Sequence, residues 1–238
     1  MASPGELVNK MAEVLGVPQP TVVQHDRHLA VAGLRTRGGR GRSAAKMTPR
    51  DAAHLLVAVM GSGAFGMPQA KDTVETLKTV GGLVSLNLHP QHTFKFDKAT
   101  FPELSSLPER HCFVDAVERL IDCARDGSLV QALLTDGGTR EPERWYGTSN
   151  IDVGVELPSY GYHTGYSAYI RIDGVNLDAH VMYMHVSPFT YQEEPDEEEI
   201  QAWLKRSATE TSPKGDLKQI RKITVRTILA LGQLLQDK

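Results

Sequence analysis

Apolar side chains recur three and four positions apart through the first sixty residues and at every second position beyond residue 150, a pattern that predicts helices first and a sheet later. Leu7, Met11, Val14 and Leu15 share one helical face, and Ser3-Pro4-Gly5-Glu6 supplies a start: a capping hydroxyl, a proline at the first helical position and a carboxylate that bonds back to the cap. Gly16-Val17-Pro18 makes a tight turn, after which a second helix runs from about Gln19 or Pro20 to Ala32 with Val22 and Leu29 inward. Thr48-Pro49-Arg50-Asp51 repeats the start signal, and Ala52, Leu55, Leu56, Val59 and Met60 form the stripe of a third helix ending near Gly61. The breaker-rich run Gly61-Ser62-Gly63-Ala64-Phe65-Gly66 reads as a linker.

Beyond it the pattern predicts a helix from Pro68 to about Val80, a short strand from Leu83 to Leu88, and a loop holding His89, Pro90 and His92. A further helix, about Pro108 to Arg125, carries Phe113, Val117, Leu120, Ile121 and Ala124 on one side; Leu129 to Leu134 extends it past Gly127, and residues 135–150 read as a surface loop. The period then falls to two. Ile151 to Leu157, Gly165 to Asp173 and Asn176 to Val186 read as three strands of an antiparallel meander with helices on one face. Pro195-Asp196 opens a short helix ending with Lys205 and Arg206, its acid start and basic end matching the helix dipole. After a polar linker, Thr209 to Gly215, a last helix from Asp216 to about Gln236 presents Ile220, Ile223, Ile228, Leu231, Leu234 and Leu235; such a helix caps its own domain or pairs with a copy of itself, and the linker favours self-pairing. The expected class is α+β: an amino-terminal winged helix-turn-helix domain over residues 1–62, an α+β body with a three-stranded antiparallel meander over 63–190, and carboxy-terminal helices over 191–238 that can dimerise.

The amino-terminal segment carries the chemistry. On the second helix Gln19, Thr21, Val23, Gln24 and Arg27 are free to face outward; an amide can bond an adenine edge twice and a guanidinium a guanine edge, so that face suits the major groove of DNA. Gly33-Leu34 turns the chain into Arg35-Thr36-Arg37-Gly38-Gly39-Arg40-Gly41-Arg42, in which arginines flank a glycine turn. Folded as a two-stranded ribbon, Arg35, Arg37, Arg40 and Arg42, with Lys46, would lie against phosphates or enter a minor groove. The blander possibility is a helical hairpin followed by a solvated basic loop. The stretch resembles the GntR-like winged-helix regulators in Leu15-Gly16-Val17, Thr21-Val22, Leu29, Gly33-Leu34 and the arginine-glycine run from Arg37 to Arg42, over roughly a sixth of the chain. It departs at Pro18, where a capping serine is usual, and at His25 and Asp26, where small or apolar residues face the core. The resemblance implies a sequence-specific regulator.

Charge sharpens this picture. The net charge is −3, but residues 1–60 hold eight Lys/Arg against four Asp/Glu while the remainder holds eighteen against twenty-five, which favours end-on engagement of phosphates by the head. Cys112 and Cys123, eleven residues apart on one predicted helix, sit about three turns from each other and cannot bridge. No apolar run reaches the length of a membrane span and no signal peptide is evident, so a soluble, cytoplasmic protein is expected. Metal ligation has weak support: His89 and His92 lack a third ligand nearby, His111 adjoins Cys112, and His180 and His185 point to opposite faces of a strand. Tyr160, Tyr162, Tyr166 and Tyr169 either line a ligand pocket or cover the sheet.

No nucleophile elbow, phosphate loop or dinucleotide fingerprint is present, so neither an enzyme nor a bound cofactor is expected. The leading expectation is a transcriptional regulator, a repressor-like homodimer on a palindromic operator of double-stranded DNA. The rival is an interaction or inhibitor protein whose acidic body binds a protein partner and whose head tethers it to DNA, and a third is a zinc hydrolase or deaminase.

Overall fold

A computed structural model describes residues 2–38, 45–61, 88–90, 102–108, 111–137, 150–156, 167–173, 178–185, 197–198, 201 and 220–236. In chain order these form α1 (Pro4–Leu15), α2 (Gln19–Val31), α3 (Pro49–Gly61), β1 (Leu88–Pro90), α4 (Pro102–Ser105), α5 (Phe113–Asp126), α6 (Ser128–Gly137), β2 (Asn150–Glu156), β3 (Ser167–Asp173), β4 (Asp178–His185), β5 (Ile220–Thr224) and α7 (Val225–Leu235). The class is α+β.

The strands form one antiparallel sheet in the order β1-β4-β3-β2-β5. The expected meander is its centre, β2-β3-β4, but the described sheet has five strands and not three. Register explains its greasy side: Ile151 lies opposite Ile172, Val153 opposite both Ile170 and Ile223, Val155 opposite Ala168, and Ile170 opposite Val181. All of these are buried, forming a continuous apolar face on which α3, α5 and α7 pack. On the opposite face the ring of Tyr169 lies over Gly154, where a β-carbon would come within 2.3 Å of it, and Asp152 pairs with Lys222 at 2.9 Å.

Two outer strands correct the sequence reading. Ile220 and Ile223, expected on the stripe of a long terminal helix, belong to β5, and the helix begins only at Val225 after Thr224 in extended conformation. Leu88, His89 and Pro90, of which His89 and Pro90 were expected in a loop, form edge strand β1, a place where proline costs no ladder bond. The α7 stripe also has a different use from self-pairing: Val225, Ile228, Leu231 and Leu235 are buried within their own chain, against α5 and α1. Likewise the α1–α3 helices share one continuous core with α5, α7 and the sheet.

The helix from Pro68, the strand from Leu83 to residue 87, the linker beyond Gly61, His92, Tyr160, Tyr162, Tyr166 and the polar linker from Thr209 lie outside the described residues, as does most of the 135–150 loop. Of the short helix expected after Pro195, Glu197, Glu198 and Gln201 are described and helical. Among the described residues no helix is long and apolar enough to cross a membrane.

Candidate nucleic-acid interface

The amino-terminal unit is built by local signals. Ser3 caps α1 by accepting from Glu6 N at 3.3 Å while the Glu6 carboxylate accepts from Ser3 N at 2.7 Å. Gly16 closes α1 in the left-handed region at φ 63°, and its N–H donates to the last carbonyls of the helix, a conformation that a side chain would strain. Pro18 then occupies the cap of α2 without any side-chain hydrogen bond, so the familiar serine function is missing. Gly33, at φ 76°, ends α2 in the same manner, with Leu34 N donating to Leu29 O at 2.9 Å.

Helix α2 is anchored by Val22, His25, Asp26 and Leu29, all buried. Two of these four are polar, and the fold handles each differently. Asp26 Oδ1 lies 2.9 Å from Arg35 Nε, an ion pair whose N–H does not point along the line between them. Burial therefore outweighs the attraction of Arg35 and holds the Asp26 carboxyl above its ordinary range. Burial, reinforced by the nearby charges of His28 and Arg221, pushes His25 down to about 4, so the ring is neutral, and its Nδ1 has no hydrogen-bond partner. With Pro18, these are the three positions at which the chain departs from the winged-helix pattern.

The outward face of α2 is narrower than the sequence suggests. Gln24 and Arg27 are exposed, and with Pro20 and Val31 they make a solvent-facing stripe at spacings of four, three and four residues. Thr21 is half-buried, and Val23 packs against the core. Gln19 is exposed, but its amide donates to Asn9 Oδ1 at 2.5 Å, tying the start of α2 to α1.

The arginines divide into fixed and outward groups. Described residues 34–38 and 45–48 are irregular rather than strand, so no ribbon exists there; residues 39–44, with Arg40 and Arg42, lie outside the described residues. Arg35 is held by Asp26. Arg37 wraps the end of α2, its Nε donating to Ala30 O at 2.8 Å and its Nη2 to Ala30 O and to Val31 O, where a cation complements the helix dipole. Arg37 as a whole residue is nonetheless exposed, as is Lys46.

A single carboxylate fastens both roots of this basic segment. Asp51, 4% exposed in the first turn of α3, accepts from Thr36 N at 2.7 Å through Oδ1 and from Thr48 N and Oγ1 at 2.9 and 2.8 Å through Oδ2. His54, one turn on, donates from Nδ1 to Leu34 O. Arg50, the residue before Asp51, bridges α3 to α5, 2.5 Å from Asp115 and 2.8 Å from Glu118.

The body offers less. His111 has both ring nitrogens engaged: Nδ1 donates to Pro108 O at 2.7 Å and Nε2 accepts from the buried Tyr183 hydroxyl at 2.8 Å, so it forms no soft pair with Cys112. Burial drives the Cys112 thiol up to about 11, the wrong direction for a nucleophile. Cys112 and Cys123 are both free thiols. His180 and His185 both lie in β4. Among the described residues no three His, Cys, Asp or Glu side chains gather as a metal site. Comparison with protein-family models, with curated proteins and with solved structures returns no match for this chain.

Proposed function

We propose that the protein binds double-stranded DNA through the exposed face of α2 and the basic segment that follows it, acting as a sequence-specific regulator. The observation that carries this reading is the stripe Pro20, Gln24, Arg27 and Val31, which faces solvent on a helix anchored to its own core along the opposite side. Gln24 and Arg27 are the base-reading pair, suited to adenine and guanine edges respectively. Lys46 and Arg37, exposed on the segment that follows α2, with Arg40 and Arg42 of the same segment, supply positive charge for phosphates. Arg35 is a scaffold residue, because its guanidinium is occupied by Asp26. Since the α7 stripe is buried internally, operator symmetry has no support from that helix.

The test is selection of bound fragments from random duplex DNA by the full chain, followed by titration of the recovered site. Arg27→Ala should relax preference at one base with a loss of about 1–3 kcal/mol. Lys46→Ala should weaken all duplexes alike and flatten the salt dependence by about one unit of slope. Failure to retain any duplex at low salt would refute the proposal.

A further inference from the structure

We propose that Val31 is a specificity-determining residue that reads the 5-methyl group of a thymine in the major groove; this rests on the duplex-binding role of α2 proposed above. Val31 is 73% exposed, the most exposed large apolar side chain among the described residues. Single exposed hydrophobics are common on protein surfaces and by themselves mean little. Position gives this one meaning, because it ends the same stripe that presents Gln24 and Arg27.

Its direction is fixed as well. The last turn of a helix ordinarily frays, but here Arg37 holds the carbonyls of Ala30 and Val31, and the β-branched side chain has essentially one rotamer on a helix. The methyls therefore point the same way in every molecule. They border an open concavity of about 420 Å³ shared with Pro4, Ala30, Arg37 and Ala45, which leaves room for a base edge to approach.

The chemistry selects the partner. At about 1.5 Å of rise per residue, Gln24, Arg27 and Val31 are spaced by about 4.5 and 6 Å along the axis. Stacked base pairs are about 3.4 Å apart, so the three side chains address positions roughly one and then two steps along. Hydrogen-bonding groups fill the major-groove edges of adenine, guanine and cytosine, and only the thymine edge adds a methyl group. A valine at the end of a glutamine-arginine row is complementary to that edge and to no other.

The experiment uses the full chain and the duplex it selects, with each thymine replaced in turn by deoxyuridine, which removes the methyl alone. Wild-type protein should lose about fourfold in affinity at one thymine, the value expected for one buried methyl group. That thymine should lie about two base pairs from the base at which Arg27→Ala relaxes preference. Val31→Ala, a change at an exposed site, should bind the parent and the uracil duplex equally. Indifference of the wild type to every uracil, or an undiminished loss in Val31→Ala, overturns the inference while leaving duplex binding intact. A fall in solution mass on Val31→Ala overturns it in favour of a contact between copies. Absence of binding to any duplex removes the reading beneath it.

Discussion

Gly232 of α7 packs against Ala124 and Arg125 of α5, and replacing it with alanine sets two effects of opposite sign against each other. Alanine is the better helix former by about 0.8–1.0 kcal/mol. An added β-carbon, however, would fall 2.5 Å from Ala124 Cβ, 2.6 Å from Ala124 C and 2.7 Å from Arg125 N. Two of those atoms are backbone, so no rotamer change relieves the clash, and α7 must move away by about 1 Å to reach ordinary contact. Ile228 and Leu231, both fully buried on that helix, would lose part of their dispersion contacts in the same movement. Overpacking of this kind costs about 1–3 kcal/mol and occasionally more, and the backbone contacts place this site at or above the upper end. After the propensity gain the net destabilisation is about 2 kcal/mol, or about 4–8 °C in Tm for a chain of this size. Urea and thermal denaturation of Gly232→Ala beside Gly5→Ala provide the measurement. Gly5 has nothing within 4 Å of its virtual β-carbon, so there the substitution should be neutral or stabilising. A Gly232→Ala protein as stable as the wild type would refute the reasoning, for it would mean that the two helices can part without loss.

Acid should unfold the protein partly through His25. Its folded value of about 4 lies below the ordinary 6.5, so the unfolded chain binds more protons between those limits, and stability present above pH 6.5 is lost as pH falls towards 4. The full loss is about 3 kcal/mol, and His25→Leu should flatten that limb of the pH-stability curve; an unchanged curve would show that His25 does not drive it. Tyr183→Phe removes the hydroxyl serving His111 Nε2 in a buried site and should cost about 1–2 kcal/mol in urea denaturation, with a negligible effect arguing that the bond contributes nothing net. Asp51→Ala strips acceptors from Thr36 N and Thr48 N and should cost about 2–4 kcal/mol. The same variant, assayed below its Tm, should lose its duplex preference more than its general affinity for DNA; equal losses would mean that Asp51 only stabilises the fold.

The helices whose ends carry side-chain signals were legible from residue order: Ser3 and Glu6 mark the start of α1, Gly16 its end, and Thr48 with Asp51 the start of α3. The central strands were legible because alternation pairs their apolar residues across β2, β3 and β4. Strand β5 was hidden because Ile220, Ile223 and Ile228 fall near helical spacing, and what makes Ile220–Thr224 a strand is the open edge of β2 beside it. Within the site, types of residue were visible but partners were not. Nothing local says that Arg35 will meet Asp26, that Arg37 will turn back onto carbonyls, or that Asn9 will hold Gln19. Val31 escaped notice because an apolar residue near a helix end reads as core, and only its position in the folded chain shows it bare. The shared core also rules out a simple experiment. Deleting residues 1–62 would separate a regulator from an interaction protein on paper, yet it would strip α1 and α3 from α5 and α7. Point variants on the α2 face avoid that loss.

Asp51 gives the basic segment an unusual independence. With Thr36 and Thr48 gripped by the two oxygens of one carboxylate, both roots of the segment are tied to α3, while Arg37 ties it to the end of α2 and Met47 N donates to Ala2 O at 2.9 Å. Doubling a flexible loop costs only about 0.6 kcal/mol in closure entropy. Between Arg37 and Met47 the sequence can therefore gain, lose or respace arginines, and its hold on a polyanion be retuned, while Asp51 and Arg37 keep the two roots in place.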